Sequence, residues 1–180
     1  MMATAKKPFL ITTGALIAAG YAVLTLLLFQ FSSMQIQIRI AEALCVLPLL
    51  TPAAVPGLFI GCFLSNLLAG NLIDAVFGSL VTLAAALLTR QTRKLGKTAS
   101  VLTAPLPAVV LNAIAVPMIL FYGYGIRSFG NVSGTIAVLG LQAVSVLIGQ
   151  TIACYGLGIP LLLFLQKINR KYHFFEEQGV

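Results

Sequence analysis

The sequence predicts an all-α integral membrane protein of six transmembrane helices, a single domain over residues 1–180, with both termini on the same side. Three observations carry this. The chain is 59% hydrophobic and only 8% charged, with a mean hydropathy of +1.03, whereas soluble domains carry roughly 25% charged residues. Pro8–Ile38, Ala43–Ile73, Thr98–Ile126 and Ser128–Gln166 contain no charged residue. A spanning helix needs about 20 apolar residues, and a backbone deprived of water must bond to itself, which makes such runs helical. The alternation of a membrane barrel is missing. The third observation is charge placement. Lys6, Lys7, Arg90, Arg93, Lys94, Lys97, Lys167, Arg170 and Lys171 fall on one side of a six-span plan, and only Arg39 and Arg127 fall on the other. The positive-inside rule makes the first side cytoplasmic.

The elements follow in order. The first helix is expected over about Phe9–Phe31. Its apolar run is too long for a signal-peptide core, and no A-x-A cleavage site follows. A polar loop, Ser32–Gln37, leads to a short second helix, about Ile38–Leu50, stopped by Thr51-Pro52. The third runs from near Pro56, well placed for a first turn, to near Gly70. The fourth covers about Leu72–Thr89, and the basic loop Arg90–Thr98 joins it to the fifth, about Ala99–Tyr122. A glycine-rich loop, Gly123–Gly130, precedes the sixth, which starts near Ser133. Gly156, Gly158 and Pro160 predict a kink or break within it.

Several functions find no support. The net charge of +7 sits between hydrophobic segments and at the ends, without the arginine-rich or aromatic pattern of nucleic-acid binding. No catalytic constellation is present, so the chain is not read as an enzyme, and no cofactor is implied. The one histidine, His173, lies in a polar tail. Gly96-Lys97-Thr98 resembles the end of a phosphate loop, but Gln91 stands where the first glycine belongs and no strand precedes it. Cys45, Cys62 and Cys154 form no C-x-x-C pair and read as small core or lipid-facing residues.

Small residues recur at four-residue spacing in the first helix, Gly14/Ala18/Ala22 beside Ala15/Ala19, and in the third, Gly57/Gly61/Ser65/Ala69. Such stripes let membrane helices approach closely. They serve either packing within this chain or docking of a second membrane subunit.

The polar residues collect toward the external end. Arg39 and Glu42 are either an i,i+3 pair at a helix mouth or part of a pocket. Glu42 in a first turn is favoured by the helix dipole. A fixed carboxylate accepts two parallel hydrogen bonds from an amidine-like edge, such as that of a guanine-like ring. Asn71 and Asp74 lie at the same end, Asn66 about a turn below, and Asn112, Gln142 and Gln150 deeper. Phe121, Tyr122, Tyr124 and Phe129 flank the external loop, either to stack on a planar ring or as an aromatic belt.

QIRIAEALCVLPLLTPAAVPGLFIGCFLSNLLAGNLIDAVFGSLVTLAAALLTR, Gln37–Arg90, closely resembles the QueT family, and APLPAVVLNAIAVPMIL, Ala104–Leu120, extends the likeness. The resemblance implies a queuosine-precursor transporter: the substrate-binding (S) component of an energy-coupling factor (ECF) importer in the bacterial plasma membrane. Its substrate would be a 7-deazaguanine, queuine or preQ0 or preQ1, bound near the external face. Glu42, Arg39, Asn66, Asn71, Asp74, Asn112, Gln142 and Tyr122 are the expected substrate residues. Gly14, Ala15, Ala18, Ala19 and Ala22 would form the docking face for a membrane coupling subunit driven by two ATPase subunits. An S component for a different vitamin, and a solitary facilitator for a small heterocycle, are the alternatives.

Overall fold

The computed structural model of the protein describes residues 3–28 and 39–172, so the expected Ser32–Gln37 loop and His173 lie outside the described residues. Helix α1 (Ala3–Leu27) is followed by a 3-10 helix (Ile40–Leu49) and α2 (Ala54–Leu68). A π-helical turn (Asp74–Gly78) leads into α3 (Ser79–Gln91), which ends in a 3-10 turn (Thr92–Leu95). Then come α4 (Lys97–Thr103), α5 (Leu106–Met118) and a second π segment (Ile119–Gly123). A small hairpin of β1 (Ser128–Phe129) and β2 (Val132–Ser133) pairs Ser128 with Ser133 and Phe129 with Val132. Finally α6 (Thr135–Thr151), a third π segment (Ile152–Gly158) and α7 (Ile159–Tyr172) run on as one long helix.

Among the described residues, four helical stretches are long and apolar enough to cross a membrane: Pro8–Leu27, Asp74–Leu95, Thr98–Gly123 and Thr135–Lys171. The other two expected spans are shorter. Ten residues of 3-10 helix rise about 20 Å and the fifteen of α2 about 22 Å, against a hydrocarbon core of about 30 Å. The kink expected around Gly156–Pro160 is a π segment, which keeps the helix continuous while shifting its hydrogen-bond register. The fifth helix loses regular hydrogen bonding at Ala104-Pro105, although both residues keep helical dihedrals. Proline supplies no amide hydrogen there, and Thr89 Oγ1 of α3 donates to the Ala104 carbonyl at 2.9 Å.

The 3-10 helix forms the centre of the bundle. Eight of its ten residues are buried, and it packs against α1, α2, α3 and the third π segment. Its C-terminal carbonyls are partly satisfied from outside: Arg90 donates to the Pro48 carbonyl at 3.0 Å.

The α1–α2 seam depends on glycine. A Cβ at Gly57 would stand 2.7 Å from the Gly14 carbonyl oxygen, and one at Gly61 would stand 2.7 Å from that of Ala18 and 2.8 Å from Tyr21 Cβ. Gly14 and Ala18 are therefore committed to packing within the chain. Ala15 and Ala19, one position along, are exposed, and Ala22 is half-buried. The expected docking stripe thus splits into an inner and an outer face.

Candidate functional site

A cavity of about 290 Å³ opens at the end of the bundle remote from the basic α3–α4 turn. It lies where the C-terminal turns of α1, the start of the 3-10 helix, the α2–π turn and the residues after α5 converge. Polar side chains on its wall are Tyr21, Thr25, Arg39, Asn66, Asn71, Asp74 and Tyr124, set among Leu24, Ile40, Leu120 and Ile126. Its volume is at the low end for ligand pockets, roughly 300–1,000 Å³.

The α2–π turn has a local cause. Helix α2 ends in a paired cap: Asn71 N–H donates to the Asn66 carbonyl at 2.8 Å, and Gly70 N–H to that of Leu67 at 3.1 Å. This geometry needs a left-handed residue after the helix, and Gly70 supplies it at φ +77°. The turn brings Asn66, Asn71 and Asp74 to one wall. Asn66 Nδ2 is turned back on its own helix, donating to the Cys62 carbonyl at 2.9 Å.

Arg39 and Asp74 form an ion pair at 3.8 Å, both largely covered. The expected partner of Arg39 was Glu42. Arg39 precedes the first turn of the 3-10 helix, with φ −93° and ψ 89°, so helical i,i+3 spacing does not govern its side chain, and it reaches across to Asp74.

Glu42 is 1% exposed and is not on the cavity wall. Tyr21 Oη donates to its Oε1 at 2.6 Å. Tyr21 itself lines the cavity, so it stands between the carboxyl group and the open space. Asn112 neighbours the Glu42 side chain. From the other side, Cys154 Sγ approaches the Glu42 carbonyl oxygen and Gln150 Oε1, each at 3.4 Å. Glu42, Asn112, Cys154 and Gln150 thus form a buried polar group behind Tyr21. Gln142 Oε1 and Gln150 Nε2 are buried and unpartnered, and a buried polar atom without a partner costs roughly 1–3 kcal/mol.

Of the predicted residues, Arg39, Asn66, Asn71 and Asp74 meet at the cavity. Glu42 and Asn112 lie together behind Tyr21, and Gln142 is buried in α6 away from the cavity wall. Tyr122 is 68% exposed and packs edge-on against Phe121 with ring centroids 5.0 Å apart. Tyr124 takes the place expected of it. Burial, and then the Asp74 carboxylate beside it, push the Tyr124 phenol up, so it stays a donor at neutral pH. Arg127 stacks over the Phe121 ring at 5.8 Å, outside the cavity wall.

Sequence reasoning missed Tyr21 and Thr25 as wall residues, and it named Tyr124 only among four aromatic residues that either stack on a ring or form an aromatic belt. Each had a spacing signal. Gly14, Ala18, Tyr21 and Thr25 share one helical face, as do Asn112, Val116, Leu120 and Tyr124. Tyr122, two residues from Leu120 and from Tyr124, falls on the opposite side.

Comparison with curated proteins and with solved structures gives no match. The QueT transporter family model matches residues 11–167, which covers every wall residue of the cavity and the buried polar group behind Tyr21. A membrane bundle with a polar, ligand-sized cavity at one end accords with that match, and the chain belongs to the QueT transporter family.

Proposed function

We propose that the protein is the substrate-binding subunit of an ECF importer and that it takes up a 7-deazaguanine queuosine precursor, queuine or preQ0 or preQ1. The carrying observation is the cavity in which Asp74, Asn66, Asn71, Arg39 and Tyr21 converge within the family-matched region. A planar heteroaromatic ring fits its chemistry. Leu24, Ile40 and Leu120 offer apolar walls, and the amides and Tyr124 supply polar groups for a ring edge. Asp74 is the carboxylate that a donor pair on the ring meets directly. Glu42 acts from behind Tyr21: by accepting from Tyr21 Oη it orients the phenol so that the oxygen's remaining lone pair is offered to the ring.

In this reading six segments cross the bacterial plasma membrane, both ends are cytoplasmic, and the cavity faces outward. Energy comes from two ATPase subunits through a membrane coupling subunit, which docks on the outer face of α1 at Ala15 and Ala19. The test is twofold: mass spectrometry of ligand co-purified with the protein, and isothermal titration of the purified protein with queuine, preQ0, preQ1, guanine and unrelated vitamins. A 7-deazaguanine is expected in both. Asp74→Asn and Glu42→Gln should each weaken it at least about tenfold, equivalent to 1.4 kcal/mol. Co-purification of a chemically unrelated vitamin, or no binding of any precursor base, would overturn the substrate assignment.

A further inference from the structure

At the opposite end of the bundle a second hollow, of about 470 Å³, runs between α3 with its 3-10 extension and the start of α5. Leu88 and Leu95 form one side, Leu106 and Val110 the other, and each is between 43% and 57% exposed. Gln91 and Thr92 are also on the wall, directly beside the turn that carries Arg90, Arg93, Lys94 and Lys97. No acidic residue occurs anywhere between Asp74 and Glu176. Arg93 and Lys94 follow the wall residue Thr92 directly in the chain, and Lys94 is exposed. A basic turn at the rim of an apolar groove favours an anion that carries an apolar tail.

We propose that this groove binds an anionic phospholipid, one acyl chain lying between α3 and α5 and the phosphate meeting Arg93 and Lys94. The order of polarity along the wall matches the molecule: leucine and valine for the chain, Gln91 and Thr92 at the level of the ester groups, and the basic turn for the phosphate. Basic clusters next to the ends of spanning helices attract anionic lipid headgroups. A transmembrane helix is the poorer occupant. Helices pack closely in lipid through small residues, and Leu88, Leu95, Leu106, Pro107, Val110 and Leu111 offer none. The inference rests on the membrane-spanning character of the chain and is independent of which substrate the outer cavity takes.

The experiment is titration of detergent-purified full-length protein with phosphatidylglycerol, read by native mass spectrometry, with phosphatidylcholine and glycerol phosphate as comparison ligands. Phosphatidylglycerol should bind and phosphatidylcholine should not. Lys94→Gln should weaken binding about fivefold, and Arg93→Gln/Lys94→Gln about 25-fold, following the contribution of each basic residue near a membrane surface. Val110→Trp, which fills the groove but leaves the charges, should abolish it. Lys167→Gln/Lys171→Gln, in the other basic segment, should leave it unchanged. Equal binding of phosphatidylcholine, equal binding of glycerol phosphate alone, or equal loss in the Lys167/Lys171 variant would each overturn the proposal. So would a Val110→Trp protein that binds the lipid normally but fails to assemble with a coupling subunit, because the groove would then belong to a protein partner.

Discussion

Gly61→Ala tests how the α1–α2 seam supports the site. The added Cβ would meet the Ala18 carbonyl oxygen at 2.7 Å, Tyr21 Cβ at 2.8 Å and Ala18 Cα at 3.1 Å. Comfortable carbon contacts lie near 3.5–4.0 Å, so α1 must withdraw by about 1 Å. No rotamer change relieves the clash, because two of the three atoms are backbone and the third is a Cβ. Overpacking of this kind costs about 1–3 kcal/mol. For a chain of this size each kcal/mol lowers the melting temperature by about 2–4 °C. The displaced residue is also the one that holds Glu42. A shift of about 1 Å takes the 2.6 Å Tyr21–Glu42 bond past the usual hydrogen-bonding range, so ligand affinity should fall with stability. Thermal unfolding in detergent and isothermal titration measure the two. Gly20→Ala and Gly140→Ala are the controls: a Cβ at either position meets nothing within 4 Å, and helix propensity alone would stabilise them by up to about 1 kcal/mol. A Gly61→Ala protein that melts and binds like these controls would refute the close-packed seam and its link to Tyr21.

Three further outcomes are expected. Tyr21→Phe removes the donor to a carboxyl group that is 1% exposed; it should cost about 1–3 kcal/mol in thermal unfolding and weaken ligand binding, and a protein equal to wild type in both would show that the bond carries nothing. Ala15→Leu and Ala19→Leu, on the exposed face of α1, should reduce co-purification with the coupling subunit while sparing ligand binding, whereas Ala18→Leu, 6% exposed in the seam, should impair folding itself; wild-type assembly of the first two would remove the outer face from docking. A cysteine placed in Arg90–Lys97 should be protected from impermeant thiol reagents in intact cells and one in Gly123–Gly130 should react, in a background lacking Cys45, Cys62 and Cys154, and the reverse pattern would invert the topology.

The membrane character, the helical class and the grouping of polar residues toward one end were legible in the sequence. Each rests on a property that residues carry individually: the cost of placing a charge or an unpaired backbone group in hydrocarbon. Hydropathy therefore marks Pro8–Leu27, Asp74–Leu95, Thr98–Gly123 and Thr135–Lys171 whatever their neighbours do. The turn at Gly70 and the close approach at Gly57 and Gly61 were also foreshadowed, since only glycine suits those positions.

The tertiary structure alone decided who meets whom. Arg39 could be assigned to Glu42 by counting residues, but an extended backbone at Arg39 sends it to Asp74. Glu42 belongs to Tyr21, a residue 21 positions away on another helix. The stripe of small residues on α1 is one pattern in sequence and two surfaces in space, because α2 covers Gly14 and Ala18 and leaves Ala15 and Ala19 open. The 3-10 helix at Ile40–Leu49 and the three π segments change which residues share a face. Hydropathy does not encode that choice: 3-10 and π registers are disfavoured locally, and packing against the neighbouring helices selects them.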